Sequence, residues 1–93
     1  MTHERIVCNC NFKKLRRYID LTQDEMGVIL GLKRSTIGAI DECRAEVQLP
    51  TLKKLIDGKL IANKEIYDFL FNRDWEPKTK VRYKRILKLI SVN

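Results

Sequence analysis

Three glycines interrupt one helical stretch of this sequence, QDEMGVILGLKRSTIGAI, at positions 27, 31 and 38. Apolar residues recur there every three or four positions, the pattern of an amphipathic helix, although each internal glycine costs about 1 kcal/mol relative to alanine. We therefore interpret the stretch as two short helices joined by a tight turn. Gly27 would be the small residue where the helices cross, and Gly31 the turn residue that tolerates positive φ. Neither requirement explains Gly38.

The same periodicity predicts an all-α chain with five short helices. The predicted helices cover residues 12–19, 23–30, 33–41, a fourth segment that begins at Pro50 and stops at Gly58, and 64–71. We divide the 93 residues into an N-terminal segment (1–10), a helical domain (11–72) and a basic C-terminal extension (73–93).

Polar residues at the predicted helix starts indicate how those helices are capped. Asn11 is predicted to cap the first helix and Asn63 the fifth. Thr22 and Glu25 have the spacing of a capping box at the start of the second helix. Trp75 follows the last helix of the domain, and we expect it to fold back onto the core.

Positive charge is concentrated at the end of the chain. The formal net charge is +7, which favours an anionic partner such as nucleic acid. Residues 1–72 carry 12 basic against 10 acidic side chains, whereas residues 73–93 carry 7 against 2. Six basic side chains of the extension are candidate DNA contacts: Lys78, Lys80, Arg82, Lys84, Arg85 and Lys88.

The conformation and role of the extension stay open at this point. Residues 80–84 alternate basic and apolar as a strand would, whereas positions 83, 86, 87 and 90 form a helical face, and we expect a helix. It would contact phosphates, or pack on the core or a second subunit through Tyr83, Leu87 and Ile90, or lie on a membrane surface.

Several classes of protein do not fit the composition. No apolar run has the length of a signal peptide or membrane span, so we expect a cytoplasmic protein with no membrane partner. Cys8, Cys10 and Cys43 are then expected to be free thiols, and their spacing fits no metal site. The single histidine, His3, lies in the terminal segment, and no catalytic constellation or cofactor-binding motif can be assembled. We expect no enzymatic activity, no metal and no cofactor.

The segment FKKLRRYIDLTQDEMGVILGLKRSTIGAIDE resembles the Cro and phage-repressor (XRE) family of helix-turn-helix proteins. LTQ before the second helix, Gly31 in the turn and RSTI at the start of the third helix recur together in that family. The resemblance covers about residues 11–71. It implies a five-helix lambda-repressor-like fold and double-stranded DNA as the partner.

The resemblance also implies roles for individual residues. Gln23 matches a position that holds a DNA phosphate, and Arg16 and Asp41 match a structural ion pair. Arg34 would reach guanine O6 and N7 in the major groove. The start of the recognition helix is matched by Lys33, Arg34, Ser35 and Thr36.

The sequence departs from the family pattern after these residues. Gly38 and Ala39 replace longer polar side chains, so Ala39 would at most touch a thymine methyl, and DNA shape would supply further readout. Glu42 and Cys43 stand where the family has residues suited to positive φ, so we expect the loop to follow another route. Arg44 in that loop is a candidate phosphate ligand.

Together these features predict a sequence-specific transcriptional regulator, a dimeric repressor that reads the major groove with the helix at residues 33–41. Ile66, Phe69 and Leu70 are candidate dimer contacts, although plain core positions explain them equally well. Two alternatives remain. One is an antitoxin-type regulator that also binds a toxin, and the other is a protein-interaction module that keeps the fold without DNA specificity.

Overall fold

The computed structural model describes residues 3–81, with side chains described from Val7 onward. This part of the chain is all-α, as predicted, and contains no strand. Its elements are α1 (His3–Tyr18), α2 (Gln23–Leu30), α3 (Arg34–Asp41), α4 (Leu49–Asp57), a 3₁₀ turn (Asn63–Glu65) and α5 (Ile66–Phe71). Within the described range, no helix has the length and apolar character needed to cross a membrane.

The first helix begins at His3, so its predicted start at residue 12 was wrong. Asn11 lies inside α1, where its side chain is buried, and does not cap that helix. Its Nδ2 donates instead to the carbonyls of Phe69 (2.8 Å) and Asn72 (3.0 Å) at the end of α5. Carbonyls at a helix C-terminus lack partners within the helix, so Asn11 caps a helix that is distant in sequence.

The caps of α2 are the ones predicted. Thr22 Oγ1 accepts a hydrogen bond from Glu25 N (3.1 Å), and Glu25 Oε1 accepts one from Thr22 N (2.8 Å). Gly31 ends the helix in the left-handed region with φ of 67°. Local sequence therefore determines both ends of α2.

The fifth helix is reached through a 3₁₀ turn preceded by Ala62, so the prediction that Asn63 caps it was wrong. Trp75 folds back as expected and is buried. Its ring meets the Phe69 ring edge-on at a centroid distance of 5.1 Å, and its Nε1 donates to Glu65 Oε2 at 3.1 Å. The indole thus closes the end of the core and satisfies its one polar atom.

α1 is central to the packing, because it lies against both α3 and α5, while α2 packs against α3 and α4. One core collects apolar side chains from all five helices. Its fully buried members include Phe12, Leu15, Met26, Leu30, Ile37, Ile40, Leu55 and Phe69. Ile37 and Ile40 form the buried inner face of α3.

Two of the three glycines differ sharply in what their surroundings permit. A Cβ on Gly27 would lie 2.5 Å from Leu32 O, so a small residue is required, as expected. The close neighbour is the backbone of the turn, whose Leu32 N donates to Gly27 O at 2.8 Å, and not a crossing helix. A Cβ on Gly38 would lie 3.6 Å from Gln23 Oε1, an ordinary contact.

The described part of the basic extension is fastened to the domain along its length. Residues 73–81, here called the strap, contain no helix, so the predicted helix is wrong for residues 78–81. Lys14 Nζ donates to Trp75 O (2.7 Å), and Thr79 Oγ1 donates to Lys59 O (2.9 Å). Several residues named above lie outside the described range: Arg82, Tyr83, Lys84, Arg85, Leu87, Lys88 and Ile90.

Gly27→Ala and Gly38→Ala should change the free energy of unfolding in opposite directions. The first forces a methyl group onto the Leu32 carbonyl, and overpacking of this kind costs about 1–3 kcal/mol. The second gains helix propensity without a clash and should stabilise by about 0.5–1 kcal/mol. Urea denaturation of both variants measures the difference. A Gly27→Ala protein as stable as Gly38→Ala would contradict the described turn.

Thiol accessibility gives a second check on the fold. All three cysteines are free, with Cys8 buried in the core and Cys10 and Cys43 exposed. Burial raises the pKa of the Cys8 thiol to about 11, so its reactive thiolate is scarce at neutral pH. We expect iodoacetamide to modify Cys10 and Cys43 in the native protein and Cys8 only after unfolding. Timed labelling followed by peptide mass spectrometry tests this order, and rapid native labelling of Cys8 would contradict it.

Candidate nucleic-acid interface

The α2–α3 pair is joined by the three-residue turn 31–33. The left-handed conformation of Gly31 reverses the chain so that α3 can begin at Arg34. Lys33 precedes the helix in an extended conformation, and no side chain caps this end of α3. The first turn of α3 is therefore free of the local side-chain contacts that close the start of α2.

The two faces of α3 have opposite character. Ile37 and Ile40 are buried on the inner face, against the core. Of the residues predicted to contact DNA from this helix, Lys33, Arg34 and Ser35 are exposed, and Thr36 and Ala39 are half-buried. The structure thus brings five of the predicted DNA-binding residues onto one short helix and its preceding turn.

A buried polar cluster fixes the C-terminal end of α3. Arg16 Nη2 lies 2.9 Å from Asp41 Oδ2, with side-chain exposures of only 13% and 3%, so the expected ion pair is confirmed. Arg16 Nη1 also donates to Leu21 O at 2.8 Å. Gln23 Nε2 donates to the same Asp41 oxygen at 3.1 Å. The Gln23 amide group therefore points inward, where it joins α2 to α3, which differs from the phosphate contact expected of it.

Sequence analysis missed Asn9, which contacts the backbone on both sides of Asp41, at the end of α3 and in the loop after it. Its Nδ2 donates to Ile40 O and to Ala45 O, each at 2.7 Å. Asn9 precedes Arg16 by seven residues, two turns of α1, so both side chains lie on the face that meets α3. The available signal was a polar residue two helical turns before Arg16, which was expected to form a structural ion pair.

The loop after α3 keeps a left-handed residue despite its unfavourable sequence. Cys43 has φ of 61°, so the expectation of another route was wrong. Hydrogen bonds to the end of α3 hold it, from Cys43 N to Ile40 O (3.0 Å) and from Arg44 N to Ala39 O (2.8 Å). These contacts offset the roughly 1–2 kcal/mol that a non-glycine residue loses in this region.

Arg44 is placed on the surface, as a phosphate ligand would be, but it already has an acidic partner. Its Nε and Nη2 atoms each lie 2.8 Å from Glu42 Oε1. Both side chains are more than 60% exposed, and such surface pairs contribute little. Arg44 can therefore exchange Glu42 for another anion at small cost.

Lys78 and Lys80 of the strap lie near the C-terminal end of α4, at the opposite end of that helix from the loop after α3. Lys78 and Lys80 are exposed, but Thr79 between them is fastened to Lys59, just past the C-terminal end of α4. The loop after α3 enters α4 at its other end. Nine residues of helix, about 13 Å, separate the two regions.

The predicted dimer contacts on α5 belong mainly to the core. Phe69 has no exposed surface, so it cannot contact a second subunit while the fold is intact. Ile66 and Leu70 are half-buried against the same core. The exposed apolar groups of α5 are instead Tyr67 and Phe71, one turn apart, with ring centroids separated by 5.0 Å.

Asp41→Asn should destabilise the protein far more than a comparable change on the surface. The substitution keeps the side-chain shape but leaves the Arg16 guanidinium buried without its counter-charge, and breaking a buried pair costs about 3–5 kcal/mol. Glu42→Gln, which removes the exposed partner of Arg44, is the matched control and should cost less than about 1 kcal/mol. Urea denaturation compares the two, and equal losses would contradict the structural role of Asp41.

Scans of the chain against protein-family models, curated protein sequences and solved structures find no match. Within the described residues, no three His, Cys, Asp or Glu side chains are grouped as metal ligands. The function of the α2–α3 surface must therefore be inferred from the arrangement of its own side chains.

Proposed function

We propose that this protein is a sequence-specific DNA-binding regulator of transcription, and that α2 and α3 form a lambda-repressor-like helix-turn-helix. One observation carries the proposal. α3 is fixed to the scaffold on its inner face and at its C-terminal end, whereas its first turn presents Lys33, Arg34 and Ser35 to solvent. A helix that enters the major groove needs this combination of a rigid mounting and an exposed N-terminal turn.

Arg34 is the residue proposed to read sequence. It is the first residue of α3 and is exposed, so its guanidinium can make the bidentate contact with guanine O6 and N7. Lys33 and Ser35 flank it and suit phosphate or base-edge contacts. Thr36 and Ala39 present small groups, which suit contact with a thymine methyl.

The phosphate contacts proposed here are fewer than those of the family pattern. The Gln23 amide group donates to Asp41, so we assign Gln23 to positioning α3 against α2. Arg44 is the remaining candidate beside α3, since its exposed partner Glu42 can be replaced by a phosphate. Lys78 and Lys80 would contribute attraction at longer range and raise the salt dependence of binding.

The protein is proposed to act as a dimeric repressor that blocks access to a promoter. α3 has eight residues, and one helix of that length contacts too little DNA for tight binding, which two half-sites one helical turn apart supply. Tyr67 and Phe71 give the exposed apolar surface that a second copy would cover. They replace Phe69 as the proposed dimer contacts.

A second candidate function is protein recognition, either as an antitoxin or as an interaction module. The same exposed pair, Tyr67 and Phe71, favours it, because exposed aromatic groups are common at protein interfaces. The nearly balanced charge of residues 1–72 also reduces the attraction of the domain for DNA. Under this alternative, the protein should purify free of nucleic acid at low salt.

Selection of bound sites from a random DNA pool tests the proposal. Wild type should enrich an inverted repeat, and Arg34→Ala should lose preference at one position of each half-site by about 1–3 kcal/mol, the contribution of a bidentate arginine–guanine pair. Arg17→Ala is the matched control, because Arg17 is an exposed arginine that belongs to α1 and not to α3 or its preceding turn. No enriched repeat, or the same repeat with Arg34→Ala, would refute base readout by α3.

A further inference from the structure

The turn between α2 and α3 is contacted by a side chain from α4. Lys54 Nζ donates a hydrogen bond to Leu30 O at 2.7 Å. Leu30 is the last residue of α2, and carbonyls at a helix C-terminus lack partners within the helix. A lysine ammonium there donates to such a carbonyl and interacts favourably with the negative end of the helix dipole. Lys54 therefore caps α2 from a helix that is distant in sequence.

The same ammonium group lies against the glycine of the turn. A Cβ on Gly31 would lie 2.9 Å from Lys54 Nζ, closer than such atoms normally approach. The space that a side chain would take at Gly31 is therefore occupied by the Lys54 ammonium. Gly31 also has φ of 67°, a conformation that favours glycine. Glycine at this position thus permits both the backbone reversal and the close approach of Lys54.

The start of α3 depends on this turn for its position. Lys33 precedes α3 and makes no side-chain cap. The buried cluster holds α3 through Asp41, which is at the opposite end of the helix. Only residues 31–33 separate the Leu30 carbonyl from Arg34. The bond from α4 therefore fixes the chain immediately before the exposed first turn of α3.

We propose that Lys54 is a positioning residue for base readout, which acts by holding the turn that places Arg34 and not by contacting a base itself. This inference rests on the proposed function. A bidentate contact between arginine and guanine requires a defined position of the guanidinium relative to the base. Attraction to phosphates depends on the number of charges and carries no sequence information. Loss of the Lys54 bond should therefore reduce discrimination between DNA sequences more than it reduces general affinity.

Lys53 is the matched control, because it is an exposed lysine on the same helix that lies beside other residues. It lines an apolar surface with Leu49 and Ile56, whereas Lys54 reaches the end of α2. Lys53→Met and Lys54→Met remove the same charge from neighbouring positions, and only the second removes the bond to Leu30 O. Lys54→Arg keeps a charged donor and serves as the conservative variant.

The ratio of two dissociation constants tests this role. One DNA duplex carries the repeat selected with wild type, and the other has the guanine assigned to Arg34 replaced by adenine. Lys54→Met should lower the ratio by about fivefold, part of what a bidentate pair contributes, and Lys54→Arg should restore most of it. Lys53→Met should weaken binding to both duplexes alike and leave the ratio unchanged. A purely structural defect would lower the folded fraction and weaken both affinities equally.

The outcomes separate the role of Lys54 from the proposed function. A wild-type protein that does not discriminate between the duplexes would refute the proposed function. A wild-type protein that discriminates, together with a Lys54→Met variant that discriminates equally well, would refute only the role of Lys54.

Amide hydrogen exchange in the free protein gives a second test that needs no DNA. The amides of Gly31 and Leu32 both donate to Gly27 O, so their exchange rates report opening of the turn. Lys54→Met should speed exchange at these two amides by about tenfold relative to Lys53→Met, because local opening becomes easier. Equal exchange in the two variants would overturn the proposal.

Discussion

A buried ion pair between Arg16 and Asp41 controls the placement of the proposed DNA-binding helix. The carboxylate of Asp41 is 3% exposed, and a carboxylate in such a site is costly unless it is paired and hydrogen-bonded. Arg16 and Gln23 supply those contacts from α1 and α2, so α3 has one favourable position relative to both helices. These contacts lie at the C-terminal end of α3, and because the helix is rigid they also fix the orientation of its exposed first turn.

The other polar side chains of α1 extend the same principle to the rest of the domain. Asn9 binds one carbonyl at the end of α3 and one in the loop after it. Asn11 binds the carbonyls that end α5, and Lys14 holds the strap. The helices being held are short, with eight residues in α3 and six in α5. Helices of that length are unstable alone in water, so the sixteen-residue α1 provides both the apolar core contacts and the caps they lack.

Contacts between residues close in sequence could be predicted, whereas most contacts between residues far apart in sequence could not. The caps at Thr22 and Gly31 were predicted correctly because their partners lie within a few residues. Asn11 was misassigned because an asparagine at a helix start and one that caps a distant helix look alike in sequence. Cys43 was misjudged because hydrogen bonds to α3 hold it against its own backbone preference. Of the candidate recognition residues, Lys33, Arg34 and Ser35 are exposed, and their contact with DNA stays a prediction. The inward bond of Gln23 depends on a tertiary contact that no local pattern encodes.

The central claim is that the exposed first turn of α3 contacts DNA while the buried cluster holds the helix in place. The most direct measurement is a titration of the ¹⁵N-labelled protein with a short DNA duplex at low salt, followed by amide chemical shifts. The largest changes should fall at residues 33–36, with small changes at Arg16 and Asp41. Changes confined to the strap and the residues after it, with none in α3, would show that DNA is bound by charge alone and would contradict the claim.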